Sequence, residues 1–339
     1  MSEQLFPTTV IGAGAWGTAL AIAIARNGNE VLLWGRDAQH LAEMQHTRTN
    51  ERYLPGLKLP ESLRIEPDFD KAVSSARHIL VSVPSIAFAE MLEKAKPLMA
   101  DGTPLSWATK GLTPETGDFL LDTATAMLGS SHSLAVVSGP SFAAEVAQDL
   151  PTAITVASAD ETFAQGLASA LHSSTLRAYT THDVLGVQIG GTVKNVLAIS
   201  AGISDGLGYG ANARAALITR GMAEILRLAE NLGAQTETMF GLSGIGDLIL
   251  TCTDDQSRNR QLGLAIGRGL TVEQAVAEVG KTVEGMYAAK EVLKRAQQVG
   301  VEMPIVEQVY KILFEGGDPR ESVQELLCRE QKAENSLPV

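Results

Sequence analysis

Between Gly244 and Arg260 the chain reads GIGDLILTCTDDQSRNR, which places Asp247, Thr251, Ser257, Arg258, Asn259 and Arg260 in one short, glycine-opened segment. Ser257-Arg258-Asn259 offers a hydroxyl, a guanidinium and an amide in succession, a grip for an anion such as phosphate if it stands at a helix start. Asp247 and Thr251 share one face if a helix opens at Gly246. A carboxylate there can orient and ionise a lysine, or answer the positive end of its own helix. The lysine to match it is Lys194, in the otherwise apolar GVQIGGTVKNVLAI, on the face of Gly190 and Gly191. Buried lysines are scarce and usually paired or functional, and small residues on that face would leave room for a ligand.

A second set of groups lies upstream. Gly12, Gly14 and Gly17 form G-x-G-x-x-G in VIGAGAWG, with a strand pattern before and a helix pattern after. The first glycine permits the turn, the second lets backbone approach a pyrophosphate, and the third lets helix and strand pack closely. The helix start then points free N–H groups at the phosphates. The next strand ends Trp34-Gly35-Arg36-Asp37. An NAD site keeps a carboxylate at this strand end for the ribose 2′-hydroxyl. Gly35 stands where that acid would be, and Arg36 suits a 2′-phosphate, so NADPH is the expected cofactor; Asp37 keeps NADH use open. Further strand ends supply Val83-Pro84-Ser85, Lys110 in WATKG, and Gly139-Pro140-Ser141. A hydride-carrier site together with a phosphate grip points to a redox enzyme acting on a small phosphorylated substrate.

These groups need two kinds of scaffold. Through residue 182 short β-branched runs alternate with helical patterns, as in a doubly wound parallel sheet. The expected strands are Thr9–Ile11, Val31–Trp34, Leu63–Glu66, Ile79–Val83, Leu105–Ala108, Ala135–Ser138, Ala153–Ala157 and Leu176–Tyr179, with a helix Ala15–Asn27 stopped by Gly28. From residue 183 onward strand signals stop. Helices are expected at Val184–Ile203, Ala211–Asn231, Gln256–Arg268, Thr271–Val279, Val283–Val299 and Pro304–Phe314. Thr271 with Gln274 reads as a capping box, and Pro304 suits a first turn. The fold class is thus α/β, a Rossmann-type domain (1–182) followed by an all-α domain (183–339), with chemistry expected in the cleft between them. The last ten residues are polar and expected to fray.

Bulk properties narrow the partners. A net charge of −12 disfavours nucleic acid, which wants a basic face. Cys252 and Cys328 form neither a metal spacing nor a disulfide framework, and no His, Cys or carboxylate cluster has metal-ligand spacing. The six histidines fall outside the motifs, so a histidine-based dehydrogenase mechanism is disfavoured. MSEQLFPTT lacks an apolar core for a secretory signal. Val184–Ile203 is apolar enough to resemble a membrane span, but Lys194 and Asn195 in its middle would be costly in lipid. A buried helix in a cytoplasmic protein is the reading.

VIGAGAWGTALA, WATKGL, SGPSFAAEV, GGTVKNVLAI, GANARAALITRG, GDLILTCTDDQSRNR and the KTVEG of Lys281–Gly285, in this order over residues 8 to 325, resemble the bacterial NAD(P)-dependent sn-glycerol-3-phosphate dehydrogenases. The resemblance implies a Rossmann domain plus a helical domain, usually a homodimer, interconverting dihydroxyacetone phosphate and sn-glycerol 3-phosphate at the entry to glycerophospholipid synthesis. It implies Lys194 as proton donor and acceptor, Lys110 touching substrate and cofactor, and Gly139, Ser141, Asp247, Ser257, Arg258 and Asn259 binding substrate. Ala15, Trp16, Arg36, Tyr53, Ala143, Arg258, Val283 and Glu284 would contact NADPH. The chain departs from the family at Ala15 and Arg36, where Ser and His are frequent. Two rival readings use fewer of these residues. A β-hydroxyacid dehydrogenase has a similar helical Lys-Asn but no need of the phosphate grip, and a nucleotide-sensing protein has no need of Lys110, Lys194 and Asp247.

Overall fold

A computed structural model describes residues 6–114, 116–280 and 282–328, so Lys281 and the polar tail after Cys328 lie outside the described residues. The chain divides into two compact units: residues up to Lys110 with Leu120–Val184, and Gly111–Phe119 with the residues from Leu185 onward.

The first unit is built on one sheet of eight strands: β1 (Thr8–Ile11), β2 (Val31–Trp34), β3 (Leu63–Ile65), β4 (Ile79–Val81), β5 (Leu105–Trp107), β6 (Leu134–Ser138), β7 (Thr152–Ser158) and β8 (Leu176–Thr181). Their spatial order is β3-β2-β1-β4-β5-β6-β7-β8. The chain winds outward in both directions from β1 and β4, which places a switch point beside β1, where ligands of such folds bind. Helix α1 (Ala15–Arg26) carries the first crossover and is buried continuously from Gly17 to Ala25, which is why its sequence lacks a polar face. A small two-stranded hairpin, Thr49–Asn50 against Leu54–Lys58, completes the unit.

One pair departs from the parallel sheet expected of the sequence: β6 and β7 run antiparallel, with Ala135 opposite Ser158 and Ser138 opposite Thr155. The five-residue Ala143–Ala147 is the helix of this connection; it rises about 7.5 Å, whereas a parallel return along five-residue β6 must cover roughly 17 Å. The chain therefore turns back instead of crossing over. Strand ends also differ locally: the pattern at Ile79–Val83 stops pairing at Val81, just before Pro84, which has no N–H to donate to a ladder.

His78, one residue before β4, is fully buried between Thr8 Oγ1 (3.1 Å) and Ser106 Oγ (2.8 Å). Burial pushes its pKa down to about 3. Because the folded value lies below the unfolded value near 6.5, the neutral ring's stabilisation is complete above that pH and is lost as pH falls toward 3. Urea unfolding at pH 4 to 6 should show a slope of about 1.4 kcal/mol per pH unit from this residue, absent in His78→Asn. An unchanged slope in that variant would remove His78 as its source.

In the second unit, helix α2 (Val184–Gly206) forms the centre of an all-helical core. It is long and apolar enough to cross a membrane, but 94% of its most apolar window is buried inside the protein. Around it lie Ala211–Asn231, α3 (Asp247–Thr253), α4 (Arg258–Gly267), Thr271-capped Val272–Val279, α5 (Glu284–Gln298) and Pro304–Phe314. Two α2 glycines meet two α4 glycines backbone to backbone. A Cβ on Gly202 would fall 2.2 Å from Arg260 O, on Gly206 2.5 Å from Leu264 O, on Gly263 2.0 Å from Ile199 O, and on Gly267 2.4 Å from Ile203 O. Leu112 and Phe119 are buried in this same core.

Candidate active site

In the first unit the dinucleotide motif occupies the turn from β1 into α1. Gly12 has a φ of +122°, and a Cβ there would overlap Ser82 O at 2.2 Å; a Cβ on Gly17 would overlap Gly12 O at 2.0 Å. Both are glycines because the protein itself leaves them no space. Gly14 is different. Its φ is −75°, ordinary for any residue, and a Cβ would meet nothing within 4 Å. The free space in front of Gly14 is the kind a pyrophosphate approaches. As the N-cap of α1, Gly14 offers no side chain to the first-turn N–H groups, so that turn is suited to an anion. Trp16, in that turn, holds a buried Nε1 that has no acceptor among the described residues. The residues present therefore fit a dinucleotide.

The end of β2 is crowded with defined contacts. A Cβ on Gly35 would lie 2.8 Å from Ala13 Cβ, so the position expected to hold an acid in an NAD site cannot hold one. Asp37 caps the helix Ala38–Thr47 by accepting the His40 N–H (3.1 Å) and pairs with Arg52 (2.8 Å). These two contacts, the backbone N–H first, hold its carboxyl below the usual range. Arg36 is exposed. The Arg52 guanidinium lies 5.5 Å from the Tyr53 ring centre, and Tyr53 meets His40 edge to face.

Adjacent β5 and β6 release Lys110 and Gly139 at the same sheet edge. Gly139 O accepts from Lys110 Nζ at 3.3 Å and from Ser141 Oγ at 3.0 Å, so three of the expected substrate residues form one polar cluster. Ala143 opens the short helix that follows, with Phe142 as its N-cap.

In the second unit Lys194 and Asp247 are buried, at 6% and 1% exposure. Lys194 Nζ donates to Asp247 Oδ1 at 2.5 Å and to Thr251 Oγ1 at 2.7 Å. Thr251 in turn donates to Asp247 O at 2.7 Å, which fixes its hydroxyl as an acceptor for the lysine. Gly246 is the N-cap of α3, so Asp247 and Thr251 present one face as the spacing requires. Gly190 serves a purpose other than room for a ligand: a Cβ there would meet Ser243 O at 2.3 Å. Its missing side chain admits the backbone of the segment that delivers Asp247.

Lys194 connects to the Ser257-Arg258-Asn259 segment through its neighbour. Asn195 Oδ1 accepts from Asn259 Nδ2, and Asn259 Oδ1 accepts from Gly285 N, each at 2.9 Å. Asn259 thereby ties α2, α4 and the start of α5 together. Ser257 is the N-cap of α4 and accepts the Arg260 N–H. Arg258 is exposed with no partner among the described residues, whereas Arg260 is buried and bonds Asp205 (2.6 Å), Asp255 (2.9 Å) and Cys252 O (3.3 Å). Val283 and Glu284 stand at the N-cap and first position of α5.

Residues 7–164 match the NAD-dependent glycerol-3-phosphate dehydrogenase N-terminus, and residues 183–324 match the C-terminus of the same family. The chain belongs to the NAD-dependent glycerol-3-phosphate dehydrogenase family. Glycerol-3-phosphate dehydrogenase (NAD(P)+) of Vibrio campbellii is 54% identical, over 96% of this chain and 95% of its own. The relative of the same name from Colwellia psychrerythraea is 53% identical, over 96% and 98%. The crystal structure of glycerol-3-phosphate dehydrogenase from Coxiella burnetii superimposes with a TM-score of 0.93 at 46% identity, covering 96% of this chain and 99% of that one.

For this glycerol-3-phosphate dehydrogenase family member, the residues that local motifs missed are those holding the site in place. Asp205 and the four packed glycines carry no catalytic signature, and Asn195 and Arg260, though visible in the sequence, had no structural partner to read there. The spacing of Gly202 with Gly206, and of Gly263 with Gly267, was the available signal: small residues four apart on two helices permit close backbone approach.

Proposed function

We propose that this NAD(P)-dependent oxidoreductase interconverts dihydroxyacetone phosphate and sn-glycerol 3-phosphate, with NADPH preferred over NADH. The observation that carries the reading is the buried Lys194–Asp247–Thr251 cluster, linked through Asn195 and Asn259 to a helix start bearing Ser257 and the exposed Arg258. A lysine pinned by two acceptors beside an anion grip suits a carbonyl next to a phosphoester.

The turn at Gly12, Gly14, Ala15, Trp16 and Gly17, with Arg36, Tyr53 and Ala143, and with Arg258, Val283 and Glu284 from the second unit, would hold the cofactor. When bound, it supplies the hydride that reduces C2. Lys194 gives its proton to the developing alkoxide oxygen and regains one from solvent; in the oxidative direction it takes the proton. Asp247 keeps the ammonium aimed. Ser257, Arg258 and Asn259 anchor the phosphate away from the reacting carbon, where binding energy can serve positioning. Lys110, Gly139 and Ser141 supply further polar groups toward the substrate.

We place the enzyme in the cytoplasm as a homodimer feeding glycerophospholipid synthesis; Cys252 and Cys328 are both free thiols, as a reducing compartment favours. The test is loss of 340 nm absorbance with NADPH and with NADH, using dihydroxyacetone phosphate and unphosphorylated dihydroxyacetone. Oxidation is expected with the phosphorylated ketone, faster with NADPH. Equal rates on the two ketones would sink the phosphate assignment.

A further inference from the structure

The loop after the small hairpin's first strand is tied to the dinucleotide turn. Buried Asn50 donates from Nδ2 to Ala13 O (3.1 Å) and to Thr18 Oγ1 (2.8 Å), and Tyr53 N returns to Asn50 O (3.2 Å). Arg52 therefore sits on a turn whose anchor is bonded to the phosphate-binding loop itself. Its guanidinium is held over Tyr53 and paired with Asp37. That pairing matters because Asp37 directly follows the end of β2: Gly35 cannot be replaced by an acid, and each Asp37 oxygen already accepts one bond, from His40 N and from Arg52. A ribose 2′-hydroxyl would have to share the Asp37 carboxylate with His40 N and Arg52, whereas a 2′-phosphate would find Arg36 next to Asp37 in the chain and Arg52 joined to it by the ion pair.

We propose that Arg52 is a second specificity determinant of this enzyme, exchanging the Asp37 carboxylate for the adenosine 2′-phosphate and gripping it together with Arg36. The inference rests on the NADPH preference proposed above. Asp37 has two consequences: it holds Arg52 in place before the phosphate arrives, and its negative charge opposes the phosphate afterwards. Both arginines are exposed, so their contribution is screened by salt.

Calorimetric titration with 2′,5′-ADP and with ADP reads this site without the nicotinamide or turnover. Wild-type protein should bind 2′,5′-ADP more tightly. Arg52→Ala should weaken 2′,5′-ADP by about tenfold at low salt and leave ADP within about twofold. Asp37→Asn, which keeps a capping side chain but loses the ion pair, should tighten 2′,5′-ADP several-fold. If Arg52→Ala leaves the selectivity intact while Arg36→Ala abolishes it, the role of Arg52 is overturned and the NADPH reading stands. Equal wild-type affinity for the two nucleotides overturns both.

Discussion

Lys194→Ala should lose about three orders of magnitude in kcat and about 3–5 kcal/mol of stability, and these two losses should be separable. A positioned proton donor contributes on the order of 10²–10⁴ in rate. The stability loss has another origin: with Lys194 gone, Asp247, 1% exposed, loses the ammonium 2.5 Å from its Oδ1, the costly half of a broken pair. The double variant Lys194→Met with Asp247→Leu removes both charges. Thr251 then still donates to the backbone O of residue 247, so no buried hydroxyl is orphaned. Thermal unfolding of the double variant should return close to wild type, because a buried pair is often replaceable by apolar residues without loss. Its turnover should remain as low as that of the single variant. Turnover that recovered together with stability would assign the loss to folding and remove Lys194 from the chemistry.

Gly263→Ala should impair the enzyme through geometry alone. A methyl group there would lie 2.0 Å from Ile199 O and 2.8 Å from Ile203 N, both backbone atoms that no rotamer change can move. Ordinary contact is about 3.5 Å, so α2 and α4 must part by roughly 1–1.5 Å. Helix propensity favours the change by about 1 kcal/mol, and overpacking opposes it by about 1–3 kcal/mol; the steric term wins, with a modest net destabilisation. The larger effect is on the site. Lys194 and Asn195 ride on α2, while Ser257, Arg258 and Asn259 ride on the start of α4, joined by the 2.9 Å Asn259–Asn195 bond. A displacement of about 1 Å between the proposed proton donor and the proposed phosphate-binding residues should cost about 10² in kcat/KM for dihydroxyacetone phosphate. Gly210→Ala, where a Cβ meets nothing within 4 Å, is the control. Wild-type kinetics and melting in Gly263→Ala would show that the close approach of these helices is dispensable.

The dinucleotide turn was legible because its signal is local. Gly12 takes a φ of +122° and Gly17 must clear Gly12 O, demands that fall within six residues of chain, although Gly12 also faces Ser82 O of a distant strand end. Asp247 and Thr251 were legible for the same reason, since i and i+4 on a helix meet whatever the helix packs on. The antiparallel β6–β7 pair was not, because its strands have the same apolar pattern in either direction. Gly190 and the committed state of Asp37 were misjudged or unseen for a related reason: the partner of Gly190 is the backbone at Ser243, and that of Asp37 is a side chain fifteen residues away.

By itself the sequence determined the order and type of most elements and the glycine turn, and singled out the two candidate lysines and the Ser257–Asn259 segment, since helix and strand periodicity, caps and turn glycines act over a few residues. Tertiary structure alone decided what those residues meet. It set Lys194 against Asp247 across 53 positions of chain, joined Asn195 to Asn259, engaged both oxygens of Asp37, and brought four glycines of two helices into backbone contact. Such pairings depend on where long elements cross, and a crossing is chosen by the summed packing of the whole core, which no short stretch of residues encodes.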